Sequence, residues 1–238
     1  MARFQPRFWP TVIMLTMMAM VIGLGTWQLH RRVWKTELLA TIAQRMNGDA
    51  VALPAAIDNP PDWTFRHVTV DGRFDQSYAL WLYGRTFDGK AGVHLLVPLI
   101  RDTGDAILVD RGFVPFDHGN ELARFAEPPA TGAVDGIVRA PEPGGLFMPS
   151  SQPDRNIWYT VDIAAMSKAV GMKLAPVYIA ARPSGDAAGW PAATGGTEGT
   201  GIRNEHLNYA IFWYSMAVVL AGIYVISSRS RPTASKTE

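Results

Sequence analysis

Residues 8–29 read FWPTVIMLTMMAMVIGLGTWQL, and residues 207–227 read LNYAIFWYSMAVVLAGIYVIS. Neither stretch holds a charged residue. Each is roughly 20 residues long, the length a helix needs to cross about 30 Å of hydrocarbon. Almost everything polar lies between them. This predicts a membrane protein with two transmembrane α-helices flanking one extracytoplasmic domain. The expected division is 8–29 for the first span, 30–203 for the domain, 204–227 for the second span and 228–238 for a cytoplasmic tail.

The middle segment is long enough for one domain with a real core. The chain has 22 Lys and Arg against 21 Asp and Glu, so no basic excess points to nucleic acid. It has no cysteine, which excludes disulfides, thiolate catalysis, iron–sulfur clusters and a CxxC copper site. Arg3 and Arg7 before the first run resemble the start of a signal peptide. The run is longer than a signal core, however, and no small-residue cleavage site follows it. Trp27, Gln28, His30, Arg31, Arg32, Trp34 and Lys35 follow instead, which reads as an uncleaved anchor. No Arg- and Ser-rich transit stretch precedes the span, which favours a bacterial protein.

Charge leaves the orientation divided. Arg31, Arg32 and Lys35 pull one flank of the first span toward the cytoplasm, and Arg3 and Arg7 pull the other. Arg229, Arg231 and Lys236 outnumber Arg203 around the second span. A long loop translocates largely regardless of its charge, so the balance favours cytoplasmic termini and an outer domain.

Within the domain, Trp34–Met46 has helical spacing and extends the first helix. Seven β-like runs follow: His67–Phe74, Tyr78–Arg85, Val93–Ile100, Ala106–Pro115, Ala133–Ala140, Trp158–Val161 and Pro176–Ala181. With turns at Asp88-Gly89 and Thr103-Gly104-Asp105, they predict a mainly antiparallel barrel or sandwich. One helix is expected over Asp162–Val170, capped by Asp162 and stopped by Gly171. A short turn is expected over Asn120–Phe125. Residues 184–201, rich in Gly, Ala, Thr and Pro, read as a flexible tether or mobile loop.

Catalytic motifs are missing: there is no GxSxG, HExxH or P-loop. Gly195-Gly196-Thr197-Glu198-Gly199-Thr200-Gly201 lacks the lysine and the strand–loop–helix setting of a phosphate cradle. Asp102, Asp105, Asp110 and Asp117 read as solvated turn or strand positions with no acid/base pairing. His67 and His94 lie in strands and His118 in a turn, without metal-ligand spacing. Met14, Met17, Met18 and Met20 are spread around a helix and read as apolar filler rather than copper ligands.

His206 is different. With Asn204 as the cap, it falls in the first turn of the second helix, where the helix dipole disfavours added positive charge. A neutral imidazole is the form that ligates a metal. His206, Tyr209, Ala210 and Trp213 fall at i, i+3, i+4 and i+7 and make a wall that suits a flat macrocycle. An interfacial histidine in an aromatic belt has the same pattern. Because the spans run antiparallel, Trp27, Gln28 and Arg31 share a bilayer face with Arg203 and His206. They read as headgroup-level anchors, or as a shared site in which Arg31 or Arg203 pairs with ligand carboxylates.

Leu24-Gly25-Thr26-Trp27-Gln28-Leu29-His30-Arg31-Arg32-Val33-Trp34-Lys35 resembles the first signature of the Surfeit locus protein one family. Arg203-Asn204-Glu205-His206-Leu207-Asn208-Tyr209 with Trp213-Tyr214 resembles its second. Between them Val70-Asp71-Gly72-Arg73-Phe74, Gly92-Val93-His94 with Pro98, Val109-Asp110-Arg111-Gly112-Phe113-Val114-Pro115 and Gly136-Ile137-Val138-Arg139 match in order. Asn156 with Trp158, and Pro176 with Tyr178-Ile179, do the same. The resemblance implies a non-enzymatic assembly factor for haem-copper cytochrome c oxidase, in the inner membrane of a bacterium, with its domain in the periplasm. It also implies that haem a is bound with His206 as the axial iron ligand, received from haem A synthase and passed to oxidase subunit I. Trp27, Tyr209 and Trp213 would then contact the ring or its tail, beside Gln28, with Arg31 or Arg203 balancing the propionates. The alternative is a scaffold that holds an oxidase intermediate without haem.

Overall fold

The computed structural model describes residues 6–117, 131–142, 144–145, 148–183, 191–195 and 205–229. They form two compact units, one from residues up to Thr41 together with those from Ile202, the other from Ile42 to Gly201. Two helices, α1 (Phe8–Asn47) and α4 (His206–Ser227), are long and apolar enough to cross a membrane. Helix α1 continues unbroken past Leu29, so the end of the apolar stretch is not the end of the helix.

The second unit is a sheet domain. Its strands are β1 (Val51–Ala52), β2 (His67–Phe74), β3 (Leu80–Phe87), β4 (Lys90–Ile100), β5 (Ala106–Pro115), β6 (Thr131–Arg139), β7 (Ile157–Trp158) and β8 (Leu174–Ala181). Two short helices join them, α2 (Pro60–Trp63) and α3 (Ile163–Val170). The strands run in the order β1-β2-β6-β8-β5-β4-β3-β7, and β2 also pairs with β4. That last pairing closes β2, β6, β8, β5 and β4 into a five-stranded barrel. Every pair in the ring is antiparallel except β5–β8.

Closure depends on a close approach. Arg73 and Phe74 pair with Ile100 and Leu99, and a Cβ on the neighbouring Gly72 would lie 2.5 Å from the Ile100 carbonyl oxygen. Only glycine leaves room there. The core divides by strand parity. Ile107, Val109, Val177 and Ile179 point into one cluster with Val68, Val70, Leu99, Val134 and Val138, all from barrel strands. Ala106, Leu108 and Tyr178 point into another with Leu80, Leu82, Trp158 and Met166 and Val170 of α3. Strands β4 and β5 are therefore apolar on both faces, like strands covered on two sides.

Local chemistry sets the turns. Asp88 and Gly89 both take positive φ (49° and 73°), as a two-residue β3–β4 hairpin requires. Asp162 accepts the Ala165 N–H at 3.0 Å, and Gly171 ends α3 at φ 66°. At the β4–β5 turn Arg101 is buried. Its guanidinium donates to Pro54 O (2.9 Å), Ala55 O (3.1 Å) and the Asp105 carboxylate. Burial pushes the Asp105 carboxyl up, but the Arg101 guanidinium and Thr103 hydroxyl outweigh it and hold it below the ordinary value.

Several expectations shift. The strand expected over Tyr78–Arg85 begins at Leu80, because Gln76–Tyr78 winds into a 3-10 turn with Asp75 accepting the Ser77 N–H. The run Trp158–Val161 shortens to Ile157–Trp158. Asn120–Phe125 lies outside the described residues. Within the stretch 184–201 the described residues are Pro191–Gly195, and they are hydrogen-bonded to the sheet domain. Phe113 N–H donates to Ala192 O (2.9 Å), Ala192 N–H to Phe113 O (2.8 Å), and Gly195 N–H to Ala181 O (2.9 Å). Gly112, at φ 129°, makes this possible, since a Cβ there would lie 2.2 Å from the Ala192 oxygen.

Gly112→Ala is expected to lower stability by about 2 kcal/mol or more, through left-handed backbone strain and the lost contact. It should also make residues near 192 the first site of limited proteolysis. The Asp105 carboxyl lies below its unfolded value, so its contribution is present above the ordinary aspartate range and lost as pH falls through the folded value. Asp105→Asn should therefore lower the melting temperature at neutral pH, and the gap from wild type should close as the solution is acidified below that range.

Candidate functional site

The helical unit positions its polar groups through the spacing of α1. Thr11, Met14, Met18, Val21, Gly25 and Gln28 recur every three or four residues, so they share one face, and all six are half-buried or buried. On α4, Ala210 and Ala217 are buried, and His206, Tyr214 and Tyr224 are half-buried.

Three hydrogen bonds join the two helices, two from the α1 stripe and one from Thr26 beside it. Thr11 Oγ1 lies 2.6 Å from the Tyr224 hydroxyl, and Thr26 Oγ1 lies 3.0 Å from the Tyr214 hydroxyl. Each threonine hydroxyl already donates to the carbonyl four residues back, Thr11 to Arg7 and Thr26 to Ile22. A hydroxyl has one hydrogen, so in both pairs the tyrosine is the donor. Gly25 lets the Tyr214 ring approach: a Cβ there would lie 3.1 Å from it. The third bond joins His206 Nδ1 and Gln28 Oε1 at 2.7 Å.

That bond brings together two of the residues singled out in the sequence. Trp27, next to Gln28, is 56% exposed, and Tyr209, one turn beyond His206, is also 56% exposed. Trp213 is half-buried, with Phe212 set edge-on to it at 5.3 Å. Arg31 is exposed and stacks its guanidinium 4.0 Å above the Trp34 ring. Arg203 lies outside the described residues. Asn204 also lies outside them, and the cap residue of the described helix is Glu205. Its backbone oxygen accepts the Tyr209 N–H (3.3 Å), and its carboxylate takes the Asn208 amide (2.8 Å), so its side chain makes no cap bond. Met17 and Met20 are exposed while Met14 and Met18 turn inward, as apolar filler around a helix would be.

The sheet domain holds a polar pair that the sequence reading missed. Asp110 is buried, not solvated. Its Oδ2 lies 2.7 Å from His94 Nδ1, and its Oδ1 accepts the Gly112 N–H at 2.9 Å. The β4–β5 register shifts between Leu95 and Leu96, leaving Arg111 as the extra residue of a bulge. This re-aims Asp110 toward His94. Burial holds the half-buried Arg111 guanidinium below its ordinary range, and it lies 6.0 Å from the Phe74 ring. The other expected aspartates differ. Asp102 is exposed in a turn, Asp105 binds Arg101, and Asp117 pairs with Lys90 at 3.1 Å. His67 contacts Asp135 (2.9 Å) and the Gly48 oxygen (2.8 Å). The signal available for Asp110 was its place mid-strand in a run apolar on both faces, where a carboxylate needs a partner.

Two apolar helices bearing a hydrogen-bonded histidine, joined to a closed five-stranded barrel domain, define a class of two-helix barrel proteins suited to a membrane. Residues 15–218 match the family model described as the SURF1 family. Surfeit locus protein 1 of Mus musculus is 34% identical over 228 residues, covering 89% of this chain and 73% of that protein. The human Surfeit locus protein 1 is 32% identical, covering 89% and 75%. A SURF1-like protein of Monosiga brevicollis is 34% identical, covering 91% and 86%. The chain belongs to the SURF1 family, and membership implies a role in cytochrome c oxidase assembly.

Asp110→Ala is expected to cost about 3 kcal/mol, because it strips a buried partner from His94 and the Gly112 N–H. Lys90→Ala, at the exposed Asp117 pair, should cost less than about 1 kcal/mol. Denaturant midpoints of the two variants test the contrast.

Proposed function

We propose that this chain is a non-enzymatic assembly factor that binds haem a and supports its insertion into oxidase subunit I. In this reading it sits in a bacterial inner membrane with both termini cytoplasmic and the barrel domain periplasmic. It receives haem from haem A synthase. The observation that carries the reading is the histidine hydrogen-bonded across an apolar helix pair, with exposed aromatic side chains flanking both partners.

The donor set fits a haem. Among the described residues no three His, Cys, Asp or Glu side chains gather as a bare metal ion would require. A haem iron needs only one or two protein ligands, because its macrocycle supplies the rest. His206 would hold the iron. Trp27, Tyr209 and Trp213 would contact the ring or its tail; Trp27 and Tyr209 are exposed. Arg31 or Arg203 would balance the propionates. A carrier must also release its cargo, and a single histidine beside largely apolar contacts gives moderate affinity. The bound haem supplies no chemistry here; it is cargo.

The test is to purify the full chain from cells that make haem a and record its optical spectrum before and after His206→Ala. The expected result is a haem a spectrum in the wild type and loss of most of it in the variant. An unaltered spectrum would remove His206 as the ligand. A protein that copurifies with oxidase subunits but carries no haem would instead favour a scaffold.

A further inference from the structure

We infer that Gln28 is a positioning residue that fixes the tautomer and aim of His206, so that Nε2 is the nitrogen offered to iron. The inference rests on the haem reading above. It begins from the 2.7 Å contact between Gln28 Oε1 and His206 Nδ1. A carboxamide oxygen only accepts, so the hydrogen lies on Nδ1. In a neutral ring the lone pair is then left on Nε2, the atom that can ligate. The two residues come from different helices, so the ring is held across the pair and not only by its own χ angles. Ligating histidines commonly have their second nitrogen held in this way, which sets the ring's tautomer and basicity.

The choice of an amide is informative. The two described histidines of the barrel domain meet carboxylates: His94 meets Asp110 at 2.7 Å and His67 meets Asp135 at 2.9 Å. Of these three, His206 is the one whose ring contact is a side-chain amide and not a carboxylate. A carboxylate would give the imidazole more anionic character, strengthen its bond to ferric iron and slow release. An amide orients the ring while leaving it a moderate donor, which suits a protein that must surrender its ligand. Gln28 is half-buried on α1, the helix that also carries the Thr26–Tyr214 and Thr11–Tyr224 bonds. Those two bonds keep the helices paired when Gln28 is changed, so its substitution is a local perturbation.

The test uses the full chain in lipid nanodiscs with ¹⁵N-labelled histidine, without haem, at about pH 8, where a histidine of ordinary basicity is neutral. The His206 signals should show a protonated Nδ1 and an unprotonated Nε2. In Gln28→Met, close in volume but without an acceptor, the two tautomers should mix. In the haem-loaded protein Gln28→Met should weaken haem affinity about 10-fold or more. Gln28→Glu should tighten binding and lower the midpoint potential. A protonated Nε2 in the wild type would overturn the inference. So would a Gln28→Met variant with unchanged tautomer and unchanged haem affinity. Haem retention in His206→Ala would instead overturn the haem reading, while the tautomer result would still stand as a fact about the helix pair.

Discussion

Tyr214, Tyr224 and His206 each carry a polar atom on a mainly apolar helix, and a membrane interior would offer no water to satisfy it. Partners on α1 do so instead. Thr11, Thr26 and Gln28 meet Tyr224, Tyr214 and His206 in reverse chain order, as antiparallel helices must. Each bond constrains the same two degrees of freedom, the rotation of each helix and the slide between them. Together they bring Gln28 to the level of His206. Apolar packing alone would leave both freedoms loose, because lipid tails compete with side chains on equal terms. The site therefore follows from the pairing, and the pairing from the need to satisfy a few hydroxyl and imidazole groups.

The barrel domain follows a related logic with different means. Its ring closes through one short β2–β4 pairing made possible by Gly72, and its interior is filled by branched aliphatic side chains. One carboxylate is nevertheless buried, and the bulge at Arg111 aims it at His94. The adjacent Gly112 donates to that carboxylate through its N–H and, lacking a Cβ, lets Pro191–Gly195 lie against β5. One local irregularity thus serves the buried pair and the docked segment together.

Where local chemistry decides structure, the sequence was legible. His67–Phe74 and Ala106–Pro115 are strands at the expected bounds, since β-branched residues recur in them and turn residues flank them. The α3 cap and its stop at Gly171 are equally local. The helix lengths, the extension of α1 and both apolar spans could also be read from composition and spacing. What could not be read depends on contacts distant in the chain. A bulge leaves no mark on composition, so Asp110 read as a solvated position. The segment 191–195 is rich in small residues and reads as linker until Gly112 is seen to admit it. Gln28 and His206 were legible as neighbours in bilayer depth. Their bond was not, because it depends on the rotation of both helices about their axes.

An imidazole held in the helix pair is the proposed point of attachment for haem. Resonance Raman spectroscopy of the reduced, haem-loaded full chain tests it most directly, comparing natural-abundance protein with protein carrying ¹⁵N histidine. The expected spectrum has a low-frequency iron–nitrogen band that moves to lower frequency on labelling and is lost in His206→Ala. A haem-loaded protein whose iron–ligand bands ignore the histidine label would contradict it.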